Sequence, residues 1–315
     1  MARQQRKARH HPLHPRNWLI WPAIPLVWML AQLPWRVVLL LGRGFGHLSW
    51  YLSPGRRHIA ITNIRLCFPE LDGAQQNALA RRTLVSTGEA TLEIAATYFN
   101  RYVRLEKRLE VTGLGHLHRA RQEGKGVLLL GMHLNSIDVG ARLLGEVLGE
   151  EFSAVYRPND IPVLDWLIRK GRQRYVKDYI DRKDLRGLVR ELRRGGVCWY
   201  APDQAYRSPQ AVFAPFFGMP AHTITATSKI ARLSNARVIP IAHYRLPGAR
   251  YRLELGAPLE NFPSGSETSD AECINRTIEH FVRKAPEQYL WVHRRFKRQP
   301  DGKNPYNTKP APAQK

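Results

Sequence analysis

Between residues 109 and 243 short runs of apolar residues alternate with longer amphipathic segments, and few folds other than a sheet flanked by helices can satisfy that alternation. The runs are Leu109–Thr112, Val127–Leu130, Phe152–Tyr156, Val197–Tyr200 and Arg237–His243. Between them, 114–122, 136–148, 163–175 and 184–194 repeat apolar residues at helical spacing, and 223–233 reads as a further helix. Val127-Leu128-Leu129-Leu130 has no polar position at all, which suits a strand covered on both faces, as in the middle of a parallel sheet. Tyr251–Leu255 alternates like a strand, and Asp270–Lys284 like a closing helix. The expected fold is α/β, a mainly parallel central sheet flanked by helices.

That central run leads into Gly131-Met132-His133-Leu134-Asn135-Ser136-Ile137-Asp138. A strand ending at Gly131 delivers His133 to the carboxyl edge of the sheet, where open α/β folds bind their ligands. Asp138 follows five positions later. In one continuous helix such residues lie about 140° apart, so the two converge only if His133 precedes the helix that carries Asp138, capped by Asn135 or Ser136. The expectation is that the Asp138 carboxylate accepts the His133 Nδ1–H and frees Nε2 to take a proton from a hydroxyl. The bland alternative is a chance spacing of two common residues. No G-x-S-x-G elbow, H-E-x-x-H helix, C-x-x-C pair or phosphate-binding loop competes with it. Gly42-Arg43-Gly44-Phe45-Gly46 reads as flexible punctuation.

The charge is lopsided. Lys and Arg total 49 against 26 Asp and Glu, a net +23, and ten of the basic residues precede the first acidic one, Glu70. Such a field selects anionic partners. Trp18–Trp35 is an uncharged stretch of 18 residues with four tryptophans, two of them at its ends. As a helix it would span roughly 27 Å, near the hydrocarbon thickness of a bilayer. The expected division is therefore a basic tail over 1–16, a membrane anchor over 17–42, a catalytic domain over 43–299 and a disordered polar tail over 300–315. Pro22, Pro25 and Pro34 argue against a straight helix, and basic residues on both flanks leave orientation open, so a shallow re-entrant insertion is the alternative. Residues 54–69 read as a basic connector and 74–98 as a helix or helix pair. Cys67, Cys198 and Cys273 lie far apart and read as small buried hydrophobes, without a disulfide framework or zinc motif.

Further blocks stand in order along the chain: Tyr156-Arg157-Pro158-Asn159, Asp181-Arg182-Lys183-Asp184-Leu185-Arg186-Gly187, Ala201-Pro202-Asp203-Gln204, Phe213-Ala214-Pro215-Phe216-Phe217-Gly218 and Ala285-Pro286-Glu287-Gln288-Tyr289-Leu290-Trp291. With the His133–Asp138 spacing they closely resemble the bacterial lipid A biosynthesis acyltransferases, in particular the lauroyl/palmitoleoyl branch, from about Pro15 to Pro300. These belong to the wider glycerolipid acyltransferase group with its His-x4-Asp/Glu dyad. The branch usually carries Glu where this chain has Asp138, so the dyad survives and the exact branch is less defined.

The resemblance implies an enzyme of the bacterial inner membrane, its catalytic domain on the cytoplasmic side. It would move a fatty acyl chain, lauroyl-like, from acyl carrier protein to a hydroxyacyl group of Kdo2-lipid IVA, an anionic lipid A precursor. His133 is then the general base and Asp138 its partner, no acyl-enzyme forms, and neither metal nor organic cofactor is needed. Arg157 is the first candidate for the oxyanion or a substrate phosphate, with a structural ion pair as its alternative. Asp203, Asn159 and Gln204 are further substrate-binding candidates, Asp203 alternatively a helix cap. Arg169, Lys170, Arg172, Arg174, Arg182 and Lys183 form a basic stretch suited to the acidic carrier protein or lipid phosphates, unless it is simply a solvated face. A different anionic glycolipid or a lysophospholipid is the runner-up acceptor. A non-enzymatic basic protein binding membrane or nucleic acid also fits the charge, but no nucleic-acid motif is visible and the tryptophan-rich segment suits lipid.

Overall fold

The computed structural model describes residues 18, 20–100, 102, 104–149, 151–205 and 208–307. Seven strands form one sheet: β1 (Leu109–Thr112), β2 (Val127–Leu130), β3 (Phe152–Tyr156), β4 (Asp178–Asp181), β5 (Val197–Tyr200), β8 (Arg237–Leu246) and β9 (Arg250–Leu255). Their spatial order is β1-β9-β8-β2-β5-β3-β4. All pairs are parallel except β8 with β9, which form a hairpin. The predicted α/β class and mainly parallel sheet are therefore observed. β2 lies between β8 and β5 with all four of its residues buried, which is why its sequence has no polar position.

Helices cover both faces: α5 (Leu114–Gln122), α6 (Ile137–Leu148), α7 (Pro162–Arg172), α8 (Leu185–Arg193), α9 (Ala226–Ser234) and α10 (Glu267–Lys284). A separate hairpin of β6 (Ala211–Phe216) and β7 (Met219–Ile224) packs on α10. Thr223 and Ile224 thus belong to a strand, and the helix expected from Thr223 starts only at Ala226. β4 lies outside the expected strands; with Asp at both ends and only Tyr179 and Ile180 between, it has too little apolar pattern to stand out.

The amino-terminal expectation is corrected. No helix among the described residues is long and apolar enough to cross a membrane. Instead α1 (Ala23–Ala31) is short and begins after Pro22, the chain breaks at Pro34, and α2 (Trp35–Leu52) is amphipathic. Proline ends the helix because it lacks the N–H and restrains the preceding residue. The apolar residues of α2 split between two faces. Trp35, Val38, Leu39 and Trp50 are buried, whereas Leu40, Phe45, Leu48 and Leu52 are 66, 51, 52 and 70% exposed.

α2 packs along α4 (Gly73–Phe99), the most extensive contact between helices. Gly42 and Gly46 are the reason rather than flexible punctuation: they face Gly88 and its neighbours, and a Cβ at Gly42 would stand 2.6 Å from the Glu89 Cα. Small residues let the backbones touch. α4 starts from Asp72 in a reciprocal capping box with Gln75. Residues 54–67, read as a connector, form α3 (Pro54–Cys67), which starts with proline at its first position and buries Ala60, Ile64 and Cys67.

A buried ion cluster ties α4 to the sheet. Arg245 of β8 pairs with Glu93 at 2.5 Å and Glu89 at 2.7 Å, and Tyr251 donates to Glu93 and accepts from Trp35 Nε1 at 2.9 Å. Beyond residue 300 the polar composition does not prevent an anchor: Tyr306 is buried, donates to Asn63, and accepts the Phe296 amide at 3.0 Å. The remainder of the polar tail, 308–315, and the basic tail over 1–16 lie outside the described residues. Cys67 and Cys198 are buried, and burial pushes both thiols up, as expected of hydrophobic rather than reactive cysteines.

Candidate active site

β2 and β5 are neighbours in parallel register, with Leu130 opposite Tyr200. His133 follows Leu130 by three residues and Asp203 follows Tyr200 by three, so strand pairing alone delivers both side chains to the same carboxyl edge. There the His133 Nδ1 meets Asp203 Oδ1 at 2.5 Å, and the His133 backbone N–H donates to Asp203 Oδ2 at 2.8 Å. The predicted partner was Asp138. It lies instead in the first turn of α6, where its carboxylate takes the Tyr98 hydroxyl at 2.7 Å and two guanidinium nitrogens of Arg172, one at 3.0 Å. His133 does precede α6 as foreseen, but the turn that separates them carries the Asp138 side chain into the contact with α4 and α7.

Asp203 is 2% exposed. Burial by itself would raise its carboxyl, but the charge of His133 and the bonds from the imidazole, the His133 amide and the Tyr289 hydroxyl together draw it down to about 2. An Asp203 that is ionised at neutral pH and accepts from Nδ1 fixes the tautomer that leaves the Nε2 lone pair free. The loop bearing His133 is itself held by the segment around the 3₁₀ turn Pro286–Gln288. Leu290 N–H donates to the His133 carbonyl at 3.0 Å, and Asn135 N–H to the Gln288 carbonyl at 2.7 Å. Gly131 is required just before the histidine because the Trp199 indole occupies the space a Cβ would need.

On the other side of Asp203, His293 accepts the Ala205 amide at 3.3 Å through Nε2. Burial brings His293 down to about 4, so at neutral pH it is an uncharged acceptor that pins the loop carrying Asp203. Tyr289 and His293 have no spacing relation to His133 that would mark them; only the resemblance singled out the block 285–291 that contains Tyr289.

His133 lines a cavity of about 900 Å³, whose lining includes the apolar Leu185, Leu188, Ile224 and Ile230 and charged residues of both signs, among them Asp181 and Asp184. Arg157, Asn159, Arg172, Arg182, Lys183 and Gln204 all reach it. Arg157 is about half exposed and its guanidinium bonds Asp160 at 2.9 Å. Asn159 does turn-building work: its Oδ1 accepts the Ile161 amide at 2.9 Å and its own amide donates to Asp165 at 2.6 Å. Of the basic stretch, Arg169 and Lys170 are exposed at the end of α7, and Arg174 donates to the Tyr98 carbonyl at 3.1 Å. Arg172 is not a surface cation: burial disfavours its charge, but Asp138 together with Tyr98 and Tyr175 outweighs burial and keeps it protonated. No group of three or more His, Cys, Asp or Glu among the described residues could hold a metal ion.

A mainly parallel α/β sheet with a histidine–carboxylate pair at its carboxyl edge, opening on a large cavity lined by apolar and charged side chains, defines an enzyme-like site. The sequence profile of the bacterial lipid A biosynthesis acyltransferases matches residues 5–298, and the chain belongs to that family; it is an acyltransferase. It is 38% identical over 292 residues to the lipid A biosynthesis lauroyltransferase of Escherichia coli (strain K12), covering 92% of this chain and 95% of that protein. Identity to the palmitoleoyltransferase of the same strain is 35%, covering 93 and 95%. The myristoyltransferase of that strain is 25% identical, covering 94 and 92%.

Proposed function

We propose that this acyltransferase moves a fatty acyl chain from an acyl carrier protein thioester to a hydroxyacyl group of Kdo2-lipid IVA, with His133 as general base and Asp203 as the group that orients it. The observation that carries the reading is the His133 Nδ1 bond to a buried, ionised Asp203 beside a cavity lined by both apolar and cationic side chains. Nε2 takes the proton of the acceptor hydroxyl as that oxygen attacks the thioester carbonyl. The tetrahedral intermediate collapses with cleavage of the C–S bond, and the proton passes from Nε2 to the departing thiolate. A thioester is already activated, so the enzyme needs mainly to align the two substrates, move one proton and steady an oxyanion. Arg157 is the proposed cation for the oxyanion or for a phosphate of the acceptor, released from Asp160 when substrate enters; Arg182 and Lys183 extend the cationic rim. Higher identity to the lauroyl and palmitoleoyl relatives than to the myristoyl one favours a lauroyl-like donor.

The protein is proposed to sit on the cytoplasmic face of the bacterial inner membrane. Support comes from α1 and α2, where Leu26, Trp28 and Met29 are 55, 50 and 55% exposed beside the open apolar face of α2. Such a face suits shallow insertion in the plane of a bilayer surface.

Purified protein supplied with lauroyl carrier-protein thioester and the tetra-acylated acceptor should form a penta-acylated product. His133→Ala should lose on the order of 10²- to 10⁴-fold in kcat with its fold intact by circular dichroism. Full activity in that variant, or acylation of lysophospholipid in preference to the Kdo-bearing acceptor, would overturn the reading.

A further inference from the structure

Outside the catalytic cavity, and sharing none of its lining residues, a second cavity of about 630 Å³ lies between α2, α4, the β8–β9 turn and the Pro286–Gln288 turn. Its charged lining is Arg43, Arg81, Arg82 and Arg245 against Glu89 and Glu287, with His47 beside them. Glu89 is occupied by Arg43 and Arg245, and Arg245 also holds Glu93. Arg81 and Arg82 are exposed, and neither guanidinium has an ion pair or hydrogen bond with the described residues. Two cations on one turn of α4, lining the same cavity as Arg43 and His47 of α2, have their donors available to an anion, whereas Arg43 is held by Glu89.

Which anion is decided by what borders the cavity. Arg43 and His47 are one turn apart on α2, and at about 100° per residue their stripe adjoins the one that carries Leu40 and Tyr51. Those two are 66 and 60% exposed. A soluble anion gains nothing from an apolar border, whereas a phospholipid has its phosphate a few ångströms from its acyl chains. Amphipathic helices at bilayers place cations and apolar side chains at those same two depths.

We propose that this cavity is a second, non-catalytic anion site, which takes the phosphate of an anionic membrane phospholipid, one whose headgroup carries no compensating cation, while the neighbouring face of α2 lies among the acyl chains. It rests on the membrane attachment proposed above and adds a seat of defined composition to it. It gives the attachment an orientation, because the headgroup is bound on one flank of α2 only.

The test is sedimentation of the full chain with vesicles of phosphatidylcholine alone or mixed with phosphatidylglycerol. Three proteins are compared: the native chain, Arg81→Gln/Arg82→Gln, and Arg190→Gln/Arg194→Gln, which removes the same charge from the exposed surface at the end of α8. The Arg81/Arg82 variant should bind phosphatidylcholine vesicles like the native chain and lose roughly tenfold or more of the preference for phosphatidylglycerol. The Arg190/Arg194 variant should lose much less. Retention of the preference by the Arg81/Arg82 variant, or an equal loss in both variants, would overturn the site while leaving attachment standing. Failure of the native chain to bind either vesicle would overturn the attachment and the site with it. Millimolar inorganic phosphate binding that depends on Arg81 and Arg82, without any gain from a bilayer, would overturn the assignment to a lipid.

Discussion

Asp138 lies five residues from His133 along the chain and Asp203 lies seventy away, yet the distant carboxylate holds the imidazole and the near one does not. Both are buried, at 3 and 2% exposure, and both are engaged by a cation-capable partner. The difference is in the partner. Asp203 faces a histidine at the wall of a cavity, a group whose charge can change during a reaction. Asp138 faces Arg172, whose charge does not change, in a cluster with Tyr98 where α4, α6 and α7 meet. In the proposed reading one pair passes a proton, while the other locks three helices. That contrast teaches that the spacing between His133 and Asp138 marks the strand-to-helix turn rather than the contact between two side chains.

The sharpest way to break the comparison is to neutralise each carboxylate in turn. Asp203→Asn should lower kcat on the order of 10²- to 10⁴-fold, because the amide no longer fixes the reactive tautomer, with smaller change in KM. Asp138→Asn should instead act first on stability. Removing one partner of a buried pair costs about 3–5 kcal/mol, which denaturant unfolding would read, and the pH dependence of kcat should stay where it is in the native enzyme. If the pH profile moves in Asp138→Asn and not in Asp203→Asn, the roles assigned to the two carboxylates are reversed.

A smaller effect concerns how the Asp203 loop is held. His293 titrates at about 6.5 when unfolded and about 4 when folded, because burial disfavours its charged form. The unfolded chain therefore takes up a proton that the folded one refuses. The stability His293 contributes is complete above pH 6.5 and is lost as pH falls to about 4, by on the order of 3 kcal/mol. Buried His243, also brought down to about 4 by burial, adds to the same window. Asp203 acts lower, since its contribution is complete above the ordinary carboxylate value of 3.8 and fades only toward pH 2. His293→Gln, whose amide keeps an acceptor, should flatten the loss between pH 6.5 and 4 in part. An unchanged slope would show that the loop is not held through a neutral His293.

Much of the fold is legible in the order of residues along the chain. Four short strands, β1, β2, β3 and β5, fall where apolar runs end in Gly, Pro or a polar turn, since local patterning already separates covered strands from amphipathic helices. The uncharged stretch Trp18–Trp35 misled, because composition records how apolar a segment is while Pro22 and Pro34 decide whether it stays one helix. The candidate site was half legible. His133, and Asp203 as a residue at the same sheet edge, follow from strand ends; Tyr289 and His293 approach from a segment more than eighty residues beyond Asp203, which no local pattern announces.

Sequence alone thus determined β1, β2, β3, β5, most of β8, and β9, most of the helices between them and the histidine at the end of the most buried strand, because each depends on residues near in the chain. Only the tertiary structure decided which acid that histidine uses. β2 pairs with β5 across a seventy-residue separation, and the shared register that brings Leu130 opposite Tyr200 also sets His133 against Asp203. The turn into α6, meanwhile, gives Asp138 to Arg172. Sheet register is a long-range property, so the contact between His133 and Asp203 lies beyond what spacing along a chain can specify.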